Sequence, residues 1–210
     1  MATPLYSFGF VPWKGMVKAM KVVAFNGSPR PRGNTYAAIK TVLGRLEAEG
    51  IETEIIQLGG KRLSGCTSCG RCRINHDRRC VIDDDEMNSF IAKMIEADGI
   101  IIGSPVFFSN VTTEVKALID RAGYVSSSNG GMFKRKVGAG VVSVRRAGSN
   151  FTYAAINFFF GITEMIVPNS SYWNMTLARD IGDFGRDSEG IKTMETLGDN
   201  MAWLLKKIHD

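Results

Sequence analysis

The chain has no uninterrupted apolar stretch near the ~20 residues a membrane-spanning helix needs; its longest candidates, such as residues 99–108, have the length of a buried strand. No membrane association is expected. Residues 1–19 lack an apolar core followed by a small-residue cleavage site, so they do not read as an export signal. They read as an N-terminal extension, either from an upstream start or as an arm that packs on a partner. Without an export signal the expected compartment is the reducing cytoplasm, where structural disulfides are uncommon. Charge of either sign is scarce as a net quantity, since 26 basic and 21 acidic side chains leave only +5. The basic residues are dispersed and do not form a stripe interleaved with aromatics, which argues against nucleic acid and suits small anionic ligands. Internal repeats, low-complexity linkers and a second domain are also missing, so residues 20–210 read as one domain.

What is present is an alternation of strands and helices. Residues 21–25 are a short apolar run ended by Asn26, Gly27, Ser28 and Pro29, hence a buried strand and its turn. Ile39, Val42, Leu43 and Leu46 follow helical spacing, and Gly50 is placed to end that helix. Residues 51–58 form a second strand. Asp83, Asp84, Asp85 and Glu86 supply a cap and negative charge to a helix whose face carries Met87, Phe90, Ile91, Met94 and Ile95. Residues 99–104 are a β-branched strand closed by Pro105, and Val111, Val115, Leu118 and Ile119 mark another helix. Strand 137–144, a helix over 150–160, a last short strand at 165–167 and a long amphipathic helix from Ile191 to Ile208 complete the chain. Phe158, Phe159 and Phe160 read as core more readily than as an oligomer contact. Trp13, Trp173 and Trp203 carry no readable role. This α/β order implies a five-stranded parallel sheet, order 2-1-3-4-5, covered by helices on both faces, with a ligand at the carboxyl ends of strands 1 and 3.

Three loops converge at that end. The first, residues 27–35, aims the amides of a helix start at whatever lies above the sheet, and Ser28, Arg30, Asn34 and Thr35 add donors around Gly33. It reads as a monophosphate cradle. Gly27 and Gly33 enclose five residues with no following Lys, so it is not a Walker A loop, and the dinucleotide G-x-G-x-x-G is missing. The second loop, Pro105, Val106, Phe107, Phe108, Ser109 and Asn110, presents two aromatics to a flat ring. The third follows strand 137–144 and carries Ser143, Arg145, Arg146 and Gly148.

All four cysteines fall within fifteen residues, as Cys66-x2-Cys69-x2-Cys72 and, after seven more residues, Cys80. Two intervening residues let the chain curl around a compact cluster, and with no further cysteine Cys80 completes the same site. Zinc is the main alternative, although a cysteine shared between two C-x2-C steps suits tetrahedral zinc less well. A dithiol–disulfide pair is another. The polar stretch 73–79 reads as a solvated loop, with His76 on the surface.

The segments FNGSPRPRGNT, CTSCGRC…CVIDDDEM and ADGIIIGSPVFFSNVTTEVKALIDRAG resemble the iron–sulfur flavoproteins within the NADPH-dependent FMN reductase-like group, from about residue 20 to the end. The resemblance implies a flavodoxin-like three-layer sandwich with a cysteine-cluster loop, residues 64–82, after strand 2. It implies FMN phosphate on Ser28, Arg30, Asn34 and Thr35, the isoalloxazine ring on residues 105–110, and residues 143–148 completing the pocket. It also implies a 4Fe–4S cluster on Cys66, Cys69, Cys72 and Cys80, and a homodimer or homotetramer with FMN near a subunit interface. Two features depart from the family pattern: the gap before Cys80 is longer, and Arg145 and Arg146 stand where small residues are frequent. Either arginine near the pyrimidine edge of the ring would favour reduced, anionic flavin. The expected function is electron transfer between a donor, NAD(P)H or a ferredoxin-like protein, and an acceptor. The rivals are a cluster-free NAD(P)H-dependent FMN or quinone reductase and a redox-sensing binding module.

Overall fold

The computed structural model describes residues 19–209; all but the last residue of the expected extension at residues 1–19 lies outside them. Strand β1, Lys21–Asn26, is followed by helix α1, Asn34–Ala48, and strand β2, Glu52–Gln57. A short helix α2, Arg71–Asn75, sits inside the cysteine window; then come α3, Met87–Glu96, and β3, Gly99–Pro105. The remaining elements are α4, Thr113–Ser128; β4, Val137–Val144; α5, Ser149–Ile162; β5, Met175–Leu177; a single 3-10 turn at Asp183–Arg186; and α6, Ser188–His209. The strands form one parallel sheet in the order β2-β1-β3-β4-β5.

The strand residues decide the layers. Along β1, Val23 and Phe25 point into one core with α3, α4 and α5, whereas Val22 and Ala24 point into another with α1 and α6. β3 repeats the alternation, with Ile100 and Ile102 on the first side and Ile101 on the second. All three isoleucines are fully buried, and each is worth about 1.5–3 kcal/mol of apolar transfer. Strands buried on both faces are the mark of a sheet sandwiched by helices. α1 buries Ile39, Val42, Leu43 and Leu46, and the chain leaves it through Gly50 in a left-handed conformation at φ 77°.

Three expectations are corrected. The apolar trio at residues 165–167 is not the last strand: Ile166 makes only a single parallel bridge to Val137 at the start of β4, and Pro168 follows it without an N–H to extend the ladder. The edge strand is instead Met175–Leu177, paired with Val142, Ser143 and Val144. The acidic run before α3 also acts differently, since Asp85 accepts the Met87 N–H at 3.1 Å but pairs chiefly with a buried arginine described below. The aromatic triplet divides, with Phe159 and Phe160 in the core and Phe158 77% exposed. His76 is at the surface as expected.

Candidate functional site

β1 ends in Asn26, which is fully buried and braces the following loop from below. Its Oδ1 accepts the Ser28 N–H at 3.2 Å, and its Nδ2 donates to Gln57 Oε1 at 2.7 Å and to the Pro31 carbonyl at 3.3 Å. Gln57, at the end of β2, donates from Nε2 to the Ser28 and Gly59 carbonyls, each at 2.7 Å. A Cβ on Gly59 would lie 2.3 Å from the Ser28 carbonyl, so only glycine lets these segments pass. Thr112, just ahead of α4, donates from Oγ1 to the Gly27 carbonyl at 2.9 Å. The carbonyls of Gly27, Ser28 and Pro31 are thus all taken up by donors within the protein.

The amides are left for the cleft. Gly33 is the N-cap of α1 and no side chain caps it. The N–H groups of Asn34, Thr35 and Tyr36 therefore precede the first helical bond, from the Ala37 N–H to the Gly33 carbonyl at 3.1 Å. An uncapped helix start, with the positive end of its dipole and the Ser28 hydroxyl beside it, is built for an anion. Arg30 lies at the rim, its Nη1 donating to the Arg179 carbonyl at 3.1 Å. Asn34 has a second task. Its Nδ2 donates to the Asp180 carbonyl at 2.8 Å and its Oδ1 accepts the Gly182 and Phe184 N–H groups at 3.1 and 3.2 Å, so its side chain ties down the loop after β5.

The cleft above these amides has a volume of about 280 Å³. Of the residues expected from the sequence, Ser28, Arg30, Asn34, Thr35, Pro105, Val106, Phe107, Ser143 and Arg145 line it, joined by Ala178 and Arg179 after β5. Gly33, Phe108, Ser109, Asn110, Arg146 and Gly148 do not line it. Phe107 and Asn110 exchange both backbone hydrogen bonds, at 2.9 and 3.0 Å, across a two-residue turn. The turn residues Phe108 and Ser109 both have left-handed backbones, φ 48° and 61°. Non-glycine residues held so cost on the order of 1–3 kcal/mol each and cluster at functional sites. Phe108 projects fully into solvent. Gly148, at φ 88°, closes the third loop on the second: a Cβ there would meet Ser109 Oγ at 2.7 Å and Ser109 Cα at 3.0 Å. Ser143 is buried, and its Oγ accepts from Thr176 Oγ1 at 3.2 Å.

The four cysteines meet elsewhere, around a cavity of about 150 Å³ between their own loop and α4. The loop is tightly coiled, with left-handed backbones at Ser68, Gly70, His76 and Arg78. Cys72 Sγ lies 3.5 Å from Ser128 Oγ and 3.8 Å from the Tyr124 carbonyl. Cys80 is held by Asn88 of α3, whose Oδ1 accepts the Cys80 N–H at 2.8 Å while Nδ2 donates to the Cys80 carbonyl at 2.9 Å. The Arg71 N–H and the Thr67 hydroxyl pull the exposed Cys69 thiol below its ordinary pKa. Among the described residues no three Cys, His, Asp or Glu side chains converge on a single-ion position. Asn88, like Asn26 and Gln57, escaped the sequence reading because it looks like an ordinary polar residue at an element's end.

α4 relates the two sites. Thr112 touches the loop after β1 and Tyr124 the cysteine cavity; twelve residues of helix separate them by about 18 Å. Beside the cysteine cavity, and sharing Arg73, Tyr124 and Ser128 with it, an apolar groove runs between α4 and α5 past Phe158 and Ile162.

A family model described as NADPH-dependent FMN reductase matches residues 20–180. The chain is 38% identical over 196 residues to an iron–sulfur flavoprotein of Methanocaldococcus jannaschii, spanning 90% of this chain and 99% of that one. Among solved structures it is similar to RosB with bound 8-demethyl-8-formylriboflavin-5′-phosphate, with a TM-score of 0.71 and 18% identity over 90% of this chain and 80% of that one. It is also similar to a flavodoxin from the Archaea, with a TM-score of 0.60 and 16% identity over 89% and 99% of the two chains. At such identities these two structures speak for the fold alone, which is flavodoxin-like.

Proposed function

We propose that this chain, which belongs to the NADPH-dependent FMN reductase family and within it to the iron–sulfur flavoproteins, transfers electrons by means of two centres, FMN in the cleft and a 4Fe–4S cluster on Cys66, Cys69, Cys72 and Cys80. Flavin-based oxidoreduction goes with the family; the cluster, the partners and the residue roles are the proposal. When bound, FMN supplies two-electron exchange with an organic partner or one-electron exchange with a metal centre, and a cubane supplies one-electron exchange.

The chain's own residues hold these groups. The N–H groups of Asn34, Thr35 and Tyr36, the Ser28 hydroxyl and Arg30 bind the phosphate, while Asn26, Gln57 and Thr112 keep the loop's carbonyls turned away from it. Val106 and Phe107 wall the ring, and Arg145 at the cleft places a positive charge where reduced flavin is anionic. Arg146 does not line the cleft, so the tuning role expected of either arginine is assigned to Arg145. Gly148, Ser109 and Asn110 act by fixing the shape of the second loop.

The observation that carries the reading is that all four cysteines, spread over fifteen residues, line one cavity. Their chemistry fits a cubane, since four thiols are its usual ligands. Separation of the two sites along α4 favours a path between subunits, with the groove at Tyr124, Phe158 and Ile162 covered by a second copy in a homodimer or homotetramer. The donor is NAD(P)H or a ferredoxin-like protein, distinguished by which of the two bleaches the flavin under anaerobic conditions. Iron, acid-labile sulfide, zinc and flavin content of anaerobically purified protein test the reading. About four iron and four sulfide per FMN support it. FMN with one zinc per chain and no iron points to the cluster-free reductase.

A further inference from the structure

Arg121, in the middle of α4, has a fully buried side chain. A guanidinium cut off from water needs partners for five N–H groups. Nη1 donates to the Asp85 carboxylate and, at 3.2 Å, to the Ser64 carbonyl; Nη2 donates to the Ile82 carbonyl at 2.7 Å. Asp85, with its side chain only 4% exposed, also accepts the Ser64 N–H at 3.0 Å. Ser64 lies two residues before Cys66, and Ile82 two residues after Cys80. One buried cation therefore fastens both ends of the cysteine window.

The clamp uses three of the five N–H groups. Arg121 Nε is buried and has no hydrogen-bond partner, and Arg121 lines the cavity that the four cysteines surround. Arginine keeps its charge at any ordinary pH, and the Asp85 carboxylate beside it favours the charged form. Asp85 lines a different depression, with Lys61, Arg62 and Glu114. The pair is thus oriented, with its cation at the sulfurs and its carboxylate behind.

We infer that Arg121 is a positioning residue that sets the reduction potential of the cluster, presenting a fixed charge and an unpartnered N–H to the cavity of the cysteines while Asp85 holds the guanidinium in place. The inference rests on the proposed cluster. Four thiolates give a cubane a negative charge, and one electron from an external reductant such as dithionite adds a further unit, with no bond made or broken. A buried cation stabilises the more negative form more strongly, and hydrogen bonds to sulfur act in the same direction. Lysine would retain charge but cannot reach both carbonyls and the carboxylate from one planar group.

The test is a potentiometric titration of the cluster, followed by electron paramagnetic resonance, on anaerobically purified full-length wild type, D85N and D85N/R121Q. Removing the carboxylate alone should raise the potential. Removing the cation as well should lower it relative to D85N by at least tenfold in the one-electron equilibrium, or 59 mV. A purely mechanical clamp would move both variants in the same direction or neither. A double variant whose potential equals or exceeds that of D85N overturns the inference. If the double variant folds poorly or without iron, R121Q takes its place: a potential below that of wild type while D85N lies above it supports the inference, and one at or above that of wild type overturns it. Wild type without iron and sulfide overturns the proposed function and this inference together, whereas a loaded wild type with unmoved variants overturns only the inference.

Discussion

Replacing Gly148 with alanine tests whether the second and third loops form one wall of the cleft. The new methyl carbon would stand 2.7 Å from Ser109 Oγ, 3.0 Å from Ser109 Cα and 3.1 Å from Val106 Cγ1. The hydroxyl can rotate away, but the Cα belongs to a turn already held left-handed, so backbone must shift by a few tenths of an ångström. Overpacking of this kind costs about 1–3 kcal/mol. The alanine must also adopt φ 88°, which adds about 1–2 kcal/mol for an L-residue. If the loops stay packed, stability falls by about 2–5 kcal/mol, read as a lower urea midpoint with an unchanged slope. If they part, stability recovers in part but Val106 and Phe107 move, and FMN binding weakens at least tenfold, about 1.4 kcal/mol. Fluorescence titration of FMN on the flavin-free variant reads the second effect. Ser109→Ala in the same chain removes only the hydroxyl and should restore a minor part. Wild-type FMN affinity together with a stability change below about 0.5 kcal/mol would refute the packing of these loops.

Further outcomes follow from single groups. Arg145→Gln should lower the flavin's two-electron potential by about 30 mV, a tenfold shift, while Arg146→Gln changes it little; spectroelectrochemical titration reads both, and the reverse order would contradict the placement of Arg145. Phe158→Glu, on the exposed apolar groove, should shift the protein towards monomer in light scattering and leave FMN binding intact, and an unchanged mass would remove this face as the subunit contact. Burial alone would raise the Asp85 carboxyl, but bonds from Arg121 and from the Ser64 and Met87 N–H groups hold it below its ordinary value. Its stabilising contribution is therefore complete above the unfolded-state pKa of about 3.9 and is lost as pH falls through the folded-state value. Urea midpoints of wild type should drop more steeply than those of Asp85→Asn below about pH 4; parallel curves would deny Asp85 that role.

Much of this architecture could be read from runs that admit one interpretation. Residues 99–103 and 137–142 are apolar at every position of a doubly covered strand, and the helices repeat with the right period. β5 escaped because it is three residues at a sheet edge, chosen by pairing with Val142–Val144 and not by its own hydrophobicity; the more apolar residues 165–167 stop at Pro168. That displacement hid Ala178 and Arg179 from the expected site. Asn34 was legible as part of the cradle, but not as the clamp on residues 180–184, because its partners lie about 150 positions away. Arg121 left a trace. It falls on the stripe of Val115, Leu118, Ala122 and Val125, three residues after Leu118 and four before Val125, so a buried charge was implied by helical period alone. Its partner could not be, since Asp85 is one of four consecutive acids.

The most direct test of the two-centre account is an anaerobic reductive titration of the purified protein with dithionite, counting electrons per chain against the visible spectrum. The account predicts about three equivalents, two into flavin and one into the cluster, with loss of broad visible absorbance beyond that of FMN. About two equivalents, with only the flavin bands bleached, would contradict it.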